Sequence, residues 1–229
     1  MISIIVPTMW RYKPFTNFLQ YLVQIPEIGE IIIVNNDANN TPHEYILEHE
    51  KIVHLKMEKN IYVNAAWNLG AERSRYDKLC FLNDDATVDL KLFPYMDQNL
   101  THDMGACGIV ELRPGLNQPP FVNGSIDLVL RTDQHCYGFG VLFFVHKNNW
   151  IPIPEEFLIG FGDNWVFDSQ IFLKKKPNFL IANTHFYHAV SVTVNSTEIY
   201  SDLRSKKDLY EKEKETYEKI QSLILRSIQ

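Results

Sequence analysis

A regular alternation of strand and helix patterns over residues 1–86 constrains the fold more than any other feature of the sequence. Apolar runs of strand length recur at Ile2–Val6, Ile31–Val34, Ile52–Leu55 and Leu79–Leu82. The helical patterns between them begin near Pro14, include Tyr45–Leu47, and extend from Asn64 to about Arg73. Strands that are apolar throughout are buried on both faces. The alternation therefore predicts an α/β fold, with a mostly parallel central sheet and helices on both faces.

Polar clusters follow three of these predicted strands, at the point where each strand ends. They are Thr8, the pair Asn36-Asp37 and the triplet Asn83-Asp84-Asp85. Ligands of parallel α/β sheets bind beyond the carboxyl ends of the strands. We therefore expect the three clusters to lie together and to form a binding site.

The adjacent carboxylates of Asp84 and Asp85 are the most informative of these groups. Two ionised carboxylates repel each other, and their burial without a counter-charge would be unfavourable. Such a pair at the end of a buried strand indicates a hard divalent cation, because Mg²⁺ and Mn²⁺ take oxygen ligands. Taken alone, the pair is also compatible with a solvated Asn-Asp turn.

Charge and motif content exclude several classes of function. The net charge of −6 argues against a nucleic-acid partner, which requires a concentrated basic surface. No apolar run has the length of a membrane span, and the N-terminus enters the first strand without a basic leader. We therefore expect a cytoplasmic enzyme or binding domain. There is no G-x-G-x-x-G after the first strand and no P-loop motif, so a bound nucleotide would not be held by a classical glycine-rich loop.

The second half of the chain predicts shorter strands and a C-terminal helix. Strands are expected at Ala106–Val110, Ile126–Leu130, Val141–Val145 and Phe179–Ala182, with a hairpin turn at Asn123-Gly124. A helix is expected after Asp163, ending before Pro177. The charged segment 201–229 carries one apolar stripe and predicts an amphipathic helix, packed on the body or on a partner. No linker divides residues 1–200 into separate domains.

Several segments of the chain form an ordered set of motifs. Asn60–Gly70 has the sequence NIYVNAAWNLG, and Leu82–Val88 has the sequence LNDDATV. The strand endings Ile5–Thr8 and Val34–Ala38 belong to the same set, as does the stretch 138–163 that leads to a final acidic residue. Together these segments resemble family 2 glycosyltransferases of the GT-A fold, and the resemblance covers roughly residues 1–190.

The resemblance implies a nucleotide-diphospho-sugar donor, of UDP or dTDP type, and a divalent metal, Mn²⁺ or Mg²⁺. The D-x-D-type motif corresponds to Asn83-Asp84-Asp85, in which Asp85 matches the metal-binding acid and Asp84 a ribose contact. The predicted donor-site residues are Pro7, Thr8, Arg11, Asn36, Asp37, Asn60, Asn64, Asn83 and Asp84. Either Asn36 or Asp37 could read the base, and Arg11 could reach a phosphate or cover the first helix. Tyr62 stands where a glycine is common in the family.

The resemblance also assigns residues to the acceptor side. Asp163 matches the catalytic base, although an acidic residue at the start of a helix could instead be an N-cap. His188 is predicted to make a further metal or phosphate contact, with His185 competing for that role, and a surface histidine is the alternative. Five aromatic residues could stack on an acceptor sugar or belong to the core: Trp67, Tyr137, Phe139, Phe161 and Trp165.

The predicted function is a metal-dependent, inverting transfer of a hexosyl or deoxyhexosyl group to a hydroxyl acceptor such as a glycan. Residues 1–100 would form the nucleotide-sugar-binding half and residues 101–200 the acceptor-binding half. Two alternatives are a nucleotidyltransferase, which normally needs a glycine- and basic-rich loop where this chain has Pro7–Arg11, and a non-catalytic binding domain of the same fold. A homodimer through the C-terminal helix is possible.

Overall fold

The computed structural model of the protein describes residues 1–41, 44–109, 125–131, 139–189 and 206–228. The strands are β1 (Ile2–Thr8), β2 (Ile28–Asn35), β3 (Ile52–Lys56), β4 (Lys78–Leu82), β5 (Ala86–Val88), β6 (Cys107–Gly108), β7 (Asp127–Leu130), β8 (Leu142–His146), β9 (Phe179–Ala182) and β10 (Phe186–His188). The α-helices are α1 (Pro14–Leu22), α2 (Glu44–Leu47), α3 (Tyr62–Arg73), α4 (Leu92–Asn99), α5 (Gly162–Ser169) and α6 (Lys206–Ile228).

Eight of the strands in the described ranges form one central sheet, in the order β3-β2-β1-β4-β8-β6-β9-β7. The first four strands of the chain are mutually parallel, as predicted, and β6 pairs with β9 in parallel. The strand β8 is antiparallel to both β4 and β6, and β7 is antiparallel to β9. The sheet is therefore mixed, with a parallel half that contains the predicted strand ends. A separate small sheet pairs β5 with β10.

Helices cover both faces of the sheet. On one face, the apolar side of α1 and α4 packs against alternate residues of β1, such as Ile4 and Val6. On the other face, Ile5 packs with residues of α3 and α5, including Trp67 and Phe167. Successive strand residues point to opposite faces, so a strand that is apolar throughout, as β1 is, satisfies both cores. The predicted α/β architecture is confirmed.

The largest differences from the sequence-based prediction concern short elements. The helix α3 begins at Tyr62, before the predicted Asn64, and β6 is shorter than the predicted Ala106–Val110. The sequence does not predict β5 and β10, because a three-residue strand has too few positions to show a period. It does not predict the helix α4 either, and α4 contains Pro94, a residue that usually interrupts a helical pattern. The predicted hairpin turn at Asn123-Gly124 lies outside the described residues.

The C-terminal helix α6 packs on the body of the protein. Tyr217 is buried, with its ring centroid 6.2 Å from that of Phe157, and Ile220 and Ile224 pack against the same cluster. The apolar stripe of α6 therefore packs on the body of the protein. A homodimer through this helix stays a prediction. Among the helices within the described ranges, none combines the length and apolar character that a membrane span requires.

Candidate active site

The carboxyl ends of β1 and β4 meet through a buried hydrogen bond between Thr8 and Asp84. The Thr8 hydroxyl donates to Asp84 Oδ2 at 2.5 Å, and the backbone N–H of Trp10 donates to Thr8 Oγ1 at 2.8 Å. Burial raises the pKa of Asp84 to about 7, opposed by the hydrogen bond from Thr8 and reinforced by the neighbouring charge of Asp85. Two of the three predicted polar clusters are therefore in direct contact.

His188 lies beside Asp85, the second carboxylate of the pair. The antiparallel pairing of β10 with β5 sets His188 opposite Ala86, and the N–H of Ala189 donates to the Asp85 carbonyl at 2.9 Å. His188 Nε2 is 3.1 Å from Asp85 Oδ1, and the two side chains are only 8% and 6% exposed. His185, the competing candidate, is exposed.

The chemistry of this pair fits a divalent cation. Carboxylate oxygen and imidazole nitrogen both suit Mn²⁺, and adjacent ligands of an octahedral ion at about 2.1 Å are about 3.0 Å apart. The 3.1 Å separation of His188 Nε2 and Asp85 Oδ1 is that of a hydrogen bond, and it is also compatible with this ligand spacing. No cluster of three or more His, Cys, Asp or Glu ligands occurs in the described part of the chain. A cation here would need further ligands in addition to Asp85 and His188.

The turn that precedes β8 connects Asp163 to this edge of the sheet. The N–H of Asn83 donates to the Val141 carbonyl at 3.0 Å, and the N–H of Gly140 donates to Asp163 Oδ2 at 3.1 Å. A Cβ atom at Gly140 would lie 3.4 Å from Asp163 Oδ2, which is ordinary van der Waals contact. The turn at Gly140-Val141 thus contacts both Asn83, which precedes the carboxylate pair, and the predicted base Asp163.

Asp163 lies in the first turn of α5 and is not its N-cap. The N-cap residue is Phe161, which has a left-handed backbone with φ of 58°. Besides the Gly140 N–H, the Asp163 carboxylate accepts the N–H of Asn164 at 3.0 Å. Burial raises the pKa of Asp163, and these hydrogen bonds oppose that effect. A half-buried carboxylate held by two backbone donors is a suitable proton acceptor.

Asn36 connects the end of β2 to two neighbouring segments. Its N–H donates to the Thr8 carbonyl at 2.8 Å, and its Oδ1 accepts the N–H of Ile61 at 3.2 Å. In the same loop Asn60 Oδ1 accepts the N–H of Tyr62 at 2.8 Å, and Tyr62 has φ of 65°. This left-handed conformation gives a physical reason why glycine would suit the Tyr62 position.

The remaining predicted donor residues lie in or near the same loops. Pro7 is in β1, Arg11 is in the segment that follows it, and Asp37 Oδ1 accepts the N–H of Asn39 at 3.2 Å. Asp37 is more exposed than Asn36, which is 7% exposed. The choice between Asn36 and Asp37 as the base contact stays a prediction.

Asn64 is buried away from solvent and contacts the loop before α5. Its Nδ2 donates to the carbonyls of Phe157 at 3.2 Å and Gly160 at 3.1 Å. Its Oδ1 is buried and accepts no hydrogen bond from the described residues. These contacts favour a role in holding that loop, while the predicted donor contact of Asn64 stays a prediction.

The sequence does not reveal the contacts of two residues near the carboxylates. It also leaves open which aromatic residues belong to the core. Gly140 lies in the stretch 138–163 that resembles the family, but the sequence does not show that its N–H contacts Asp163. Tyr12 carries no motif signal; its pKa is raised by partial burial and by the nearby Tyr187 and Asp85. Trp67 and Trp165 are core residues, 3% and 8% exposed. Tyr137 and the side chain of Phe139 lie outside the described part of the structure.

The fold is similar to solved glycosyltransferase structures. The S. aureus TarS 1–349 structure is 15% identical with a TM-score of 0.61, and the match covers 83% of this chain and 60% of TarS 1–349. Its complex with UDP-GlcNAc gives a TM-score of 0.60 at 15% identity, with coverage of 92% and 64%. GalNAc-T7 with UDP, GalNAc and Mn²⁺ gives a TM-score of 0.57 at 12% identity, with coverage of 88% and 46%. At these identities the likeness concerns the fold, and confirms the predicted GT-A fold.

The family match comes from the sequence. No curated protein sequence matches the chain significantly, and the chain spans less than two thirds of each of the solved structures above. The family model described as "Glycosyl transferase family 2" matches residues 3–160, which is more than half of the chain. This match includes the three strand-end clusters and residues 157–160 of the loop that leads to α5, and it ends before Asp163 and His188. The chain therefore belongs to glycosyl transferase family 2.

Proposed function

We propose that the protein is a metal-dependent, inverting glycosyltransferase that moves a sugar from a UDP- or dTDP-type donor to a hydroxyl acceptor such as a glycan. One observation carries the proposal: three acidic side chains are linked at one edge of the sheet. Thr8 holds Asp84, His188 lies beside Asp85, and the turn at Gly140 reaches from Asn83 to Asp163.

Asp85 and His188 would hold the divalent cation. A bound Mn²⁺ or Mg²⁺ would neutralise the negative charge that develops on the leaving nucleoside diphosphate. Burial of both side chains keeps them pre-positioned, so little rearrangement is needed when the donor binds. Asp84, held by Thr8, would accept a hydrogen bond from the ribose.

Asp163 would act as the general base. A direct displacement with inversion needs a proton acceptor on the face of the sugar opposite the leaving group. Two backbone N–H groups fix the orientation of the Asp163 carboxylate. Residues 101–200 would then supply the acceptor contacts, and residues 1–100 the donor contacts.

The comparisons support the donor class by analogy. TarS has been crystallised with UDP-GlcNAc, and GalNAc-T7 with UDP and Mn²⁺. Family membership supports glycosyl transfer over nucleotidyl transfer, and Pro7–Arg11 lacks the glycine- and basic-rich character that the latter normally needs.

Thermal unfolding with UDP, dTDP and GDP, each with and without Mn²⁺, tests the donor site. Specific binding stabilises the folded state, so one nucleotide should raise the melting temperature in a Mn²⁺-dependent manner. The variant Asp85→Asn should lose the Mn²⁺-dependent part, whereas exposed Asp103→Asn should keep it. No metal-dependent stabilisation by any of the three nucleotides would refute the proposal. Nucleotide binding without turnover of any sugar donor would favour the non-catalytic alternative.

A further inference from the structure

The loop at residues 157–161 leads directly to the predicted base. Phe157 is buried in the core, and Phe161 turns the chain into α5 with a left-handed backbone. Asp163 follows two residues later. The path of this loop therefore sets the position of the Asp163 carboxylate.

Glu213, on the C-terminal helix, binds this loop through three consecutive backbone amides. Its Oε1 accepts the N–H groups of Leu158 at 2.6 Å and Ile159 at 3.1 Å, and its Oε2 accepts the N–H of Gly160 at 2.6 Å. Glu213 is only 1% exposed. It lies in α6, beyond the residues that match the family model.

Asn64 holds the carbonyl side of the same loop, so the loop is fixed by α6 and by α3. The approach is close on both sides. A Cβ atom at Gly160 would lie 2.7 Å from Glu213 Oε2, and one at Gly162 would lie 2.0 Å from Asn64 Oδ1. Neither glycine can be replaced without moving a buried polar group.

Two further contacts attach α6 to the loop and to α5: an aromatic stack, and hydrogen bonds to a second acidic residue, Asp168. The ring of Phe161 stacks on that of Tyr217, with centroids 5.2 Å apart. The Tyr217 hydroxyl donates to Asp168 Oδ2, which also accepts Gln221 Nε2 at 3.0 Å. The helix α6 thus contacts both the loop before α5 and α5 itself.

The three N–H groups of the loop require a carboxylate at position 213. An ionised carboxylate has only acceptor sites on two oxygens, so it can accept three N–H groups at once. A glutamine has one oxygen and an NH₂ group. In either orientation the NH₂ group would face at least one of the loop N–H groups, which is a repulsive contact.

We propose that Glu213 is a positioning residue for the catalytic base. By holding the amides of residues 158–160, it fixes the loop that carries Asp163, so the C-terminal helix is part of the active-site support. This inference rests on the proposed function, because it assigns the effect to the base.

The variant Glu213→Gln tests this proposal against Glu215→Gln, which makes the same change at an exposed position of the same helix. We expect Glu213→Gln to lower kcat for sugar-donor turnover by about 10- to 100-fold, since small displacements of a catalytic group have effects of that size. The donor KM should change by less than about twofold, because Glu213 hydrogen-bonds to the loop before α5, whereas Thr8 and Asp84 lie at the ends of β1 and β4. Hydrogen exchange of the amides of residues 158–160 should be faster than in the wild type. The variant Glu213→Asp, which keeps an acceptor-only group, should retain more kcat than Glu213→Gln.

Unchanged exchange at residues 158–160, or faster exchange with unchanged kcat, would overturn the positioning role. An equal loss of kcat in Glu215→Gln would overturn it as well.

If Glu213→Gln does not fold, Glu213→Asp provides the test. A lowered kcat with constant donor KM in Glu213→Asp then supports the proposal, and an unchanged kcat contradicts it. A wild-type chain that neither binds nor turns over a nucleotide-sugar would refute the proposed function and the positioning role together. Normal wild-type turnover with unchanged kcat in the variants refutes the positioning role alone.

Discussion

Replacement of Asp163 by asparagine should separate catalysis from donor binding. The change keeps the size of the side chain and removes its capacity to accept a proton. General base catalysis contributes about 10²- to 10⁴-fold to rate. We therefore expect Asp163→Asn to lower kcat by that factor, which raises the activation free energy by about 2.7–5.4 kcal/mol.

The hydrogen bonds of Asp163 predict a second, structural effect of the same variant. The carboxylate accepts the N–H groups of Gly140 and Asn164 on different oxygens, at 3.1 and 3.0 Å. An asparagine can accept only one of them and turns its NH₂ group toward the other. Leaving one of these partly buried donors unsatisfied costs about 1–3 kcal/mol. Removal of a charge that burial disfavours offsets part of that cost, so the free energy of unfolding should fall by less than that amount.

The pH dependence follows from the direction of the Asp163 pKa shift. Burial raises the pKa of Asp163 above its ordinary value, and the base must be ionised to act. The acid limb of the kcat/KM profile should therefore inflect above about 3.9, the ordinary pKa of aspartate. Folding favours the protonated acid, so this group's contribution to stability is greatest below its unfolded pKa and is lost as pH rises through the folded pKa. The kcat/KM profile also responds to Asp84, whose pKa is raised to about 7 and which belongs to the proposed donor site. The limb due to Asp163 should therefore be identified in kcat at saturating donor, and it should be absent from the residual activity of Asp163→Asn.

The assay is steady-state turnover of the stabilising nucleotide-sugar, combined with donor binding and urea unfolding. The matched control is Glu156→Gln, the same chemical change at an exposed position seven residues earlier in the chain. Control and wild type should have equal kcat. Unchanged transfer by Asp163→Asn, at unchanged donor affinity, would remove Asp163 from the mechanism.

Two further predictions concern the edge of the sheet where the donor is proposed to bind. Thr8→Val removes the donor to Asp84 and the acceptor of a backbone N–H, so it should lower the free energy of unfolding by about 2–5 kcal/mol, measured by urea denaturation; a loss below about 0.5 kcal/mol would contradict the buried hydrogen bond. His188→Ala should abolish the Mn²⁺-dependent part of nucleotide stabilisation, whereas His185→Ala should retain it, as measured by thermal unfolding. The reverse result would assign the metal contact to His185.

The first half of the chain was predictable because its signals are local. The apolar runs of β1 and β2 determine strands buried on both faces, and the strand-end rule brings Thr8 and Asp84 together. The resemblance to the family and the predicted strand ends therefore suffice to predict Asp84 and Asp85 as site residues, without knowledge of any contact.

The contacts of the second half depend on pairings that leave little trace in the sequence. His188 reaches Asp85 because β10 pairs with β5, a three-residue partner about a hundred positions earlier in the chain. Glu213 did leave one signal. It stands three residues after Tyr210 and four before Tyr217, on the apolar stripe of the predicted C-terminal helix. A charged residue at that position indicates a buried partner, although it does not indicate which segment provides it.

The stereochemistry of donor hydrolysis tests the central claim most directly. Water can replace the acceptor hydroxyl, so the UDP- or dTDP-sugar that gives the largest Mn²⁺-dependent stabilisation can be hydrolysed and its first product observed by proton NMR before mutarotation. Direct displacement with Asp163 as base predicts a sugar of anomeric configuration opposite to that of the donor, and slower formation of that sugar in Asp163→Asn. A first product that retains the donor's configuration, or formation at the wild-type rate in Asp163→Asn, would contradict the account.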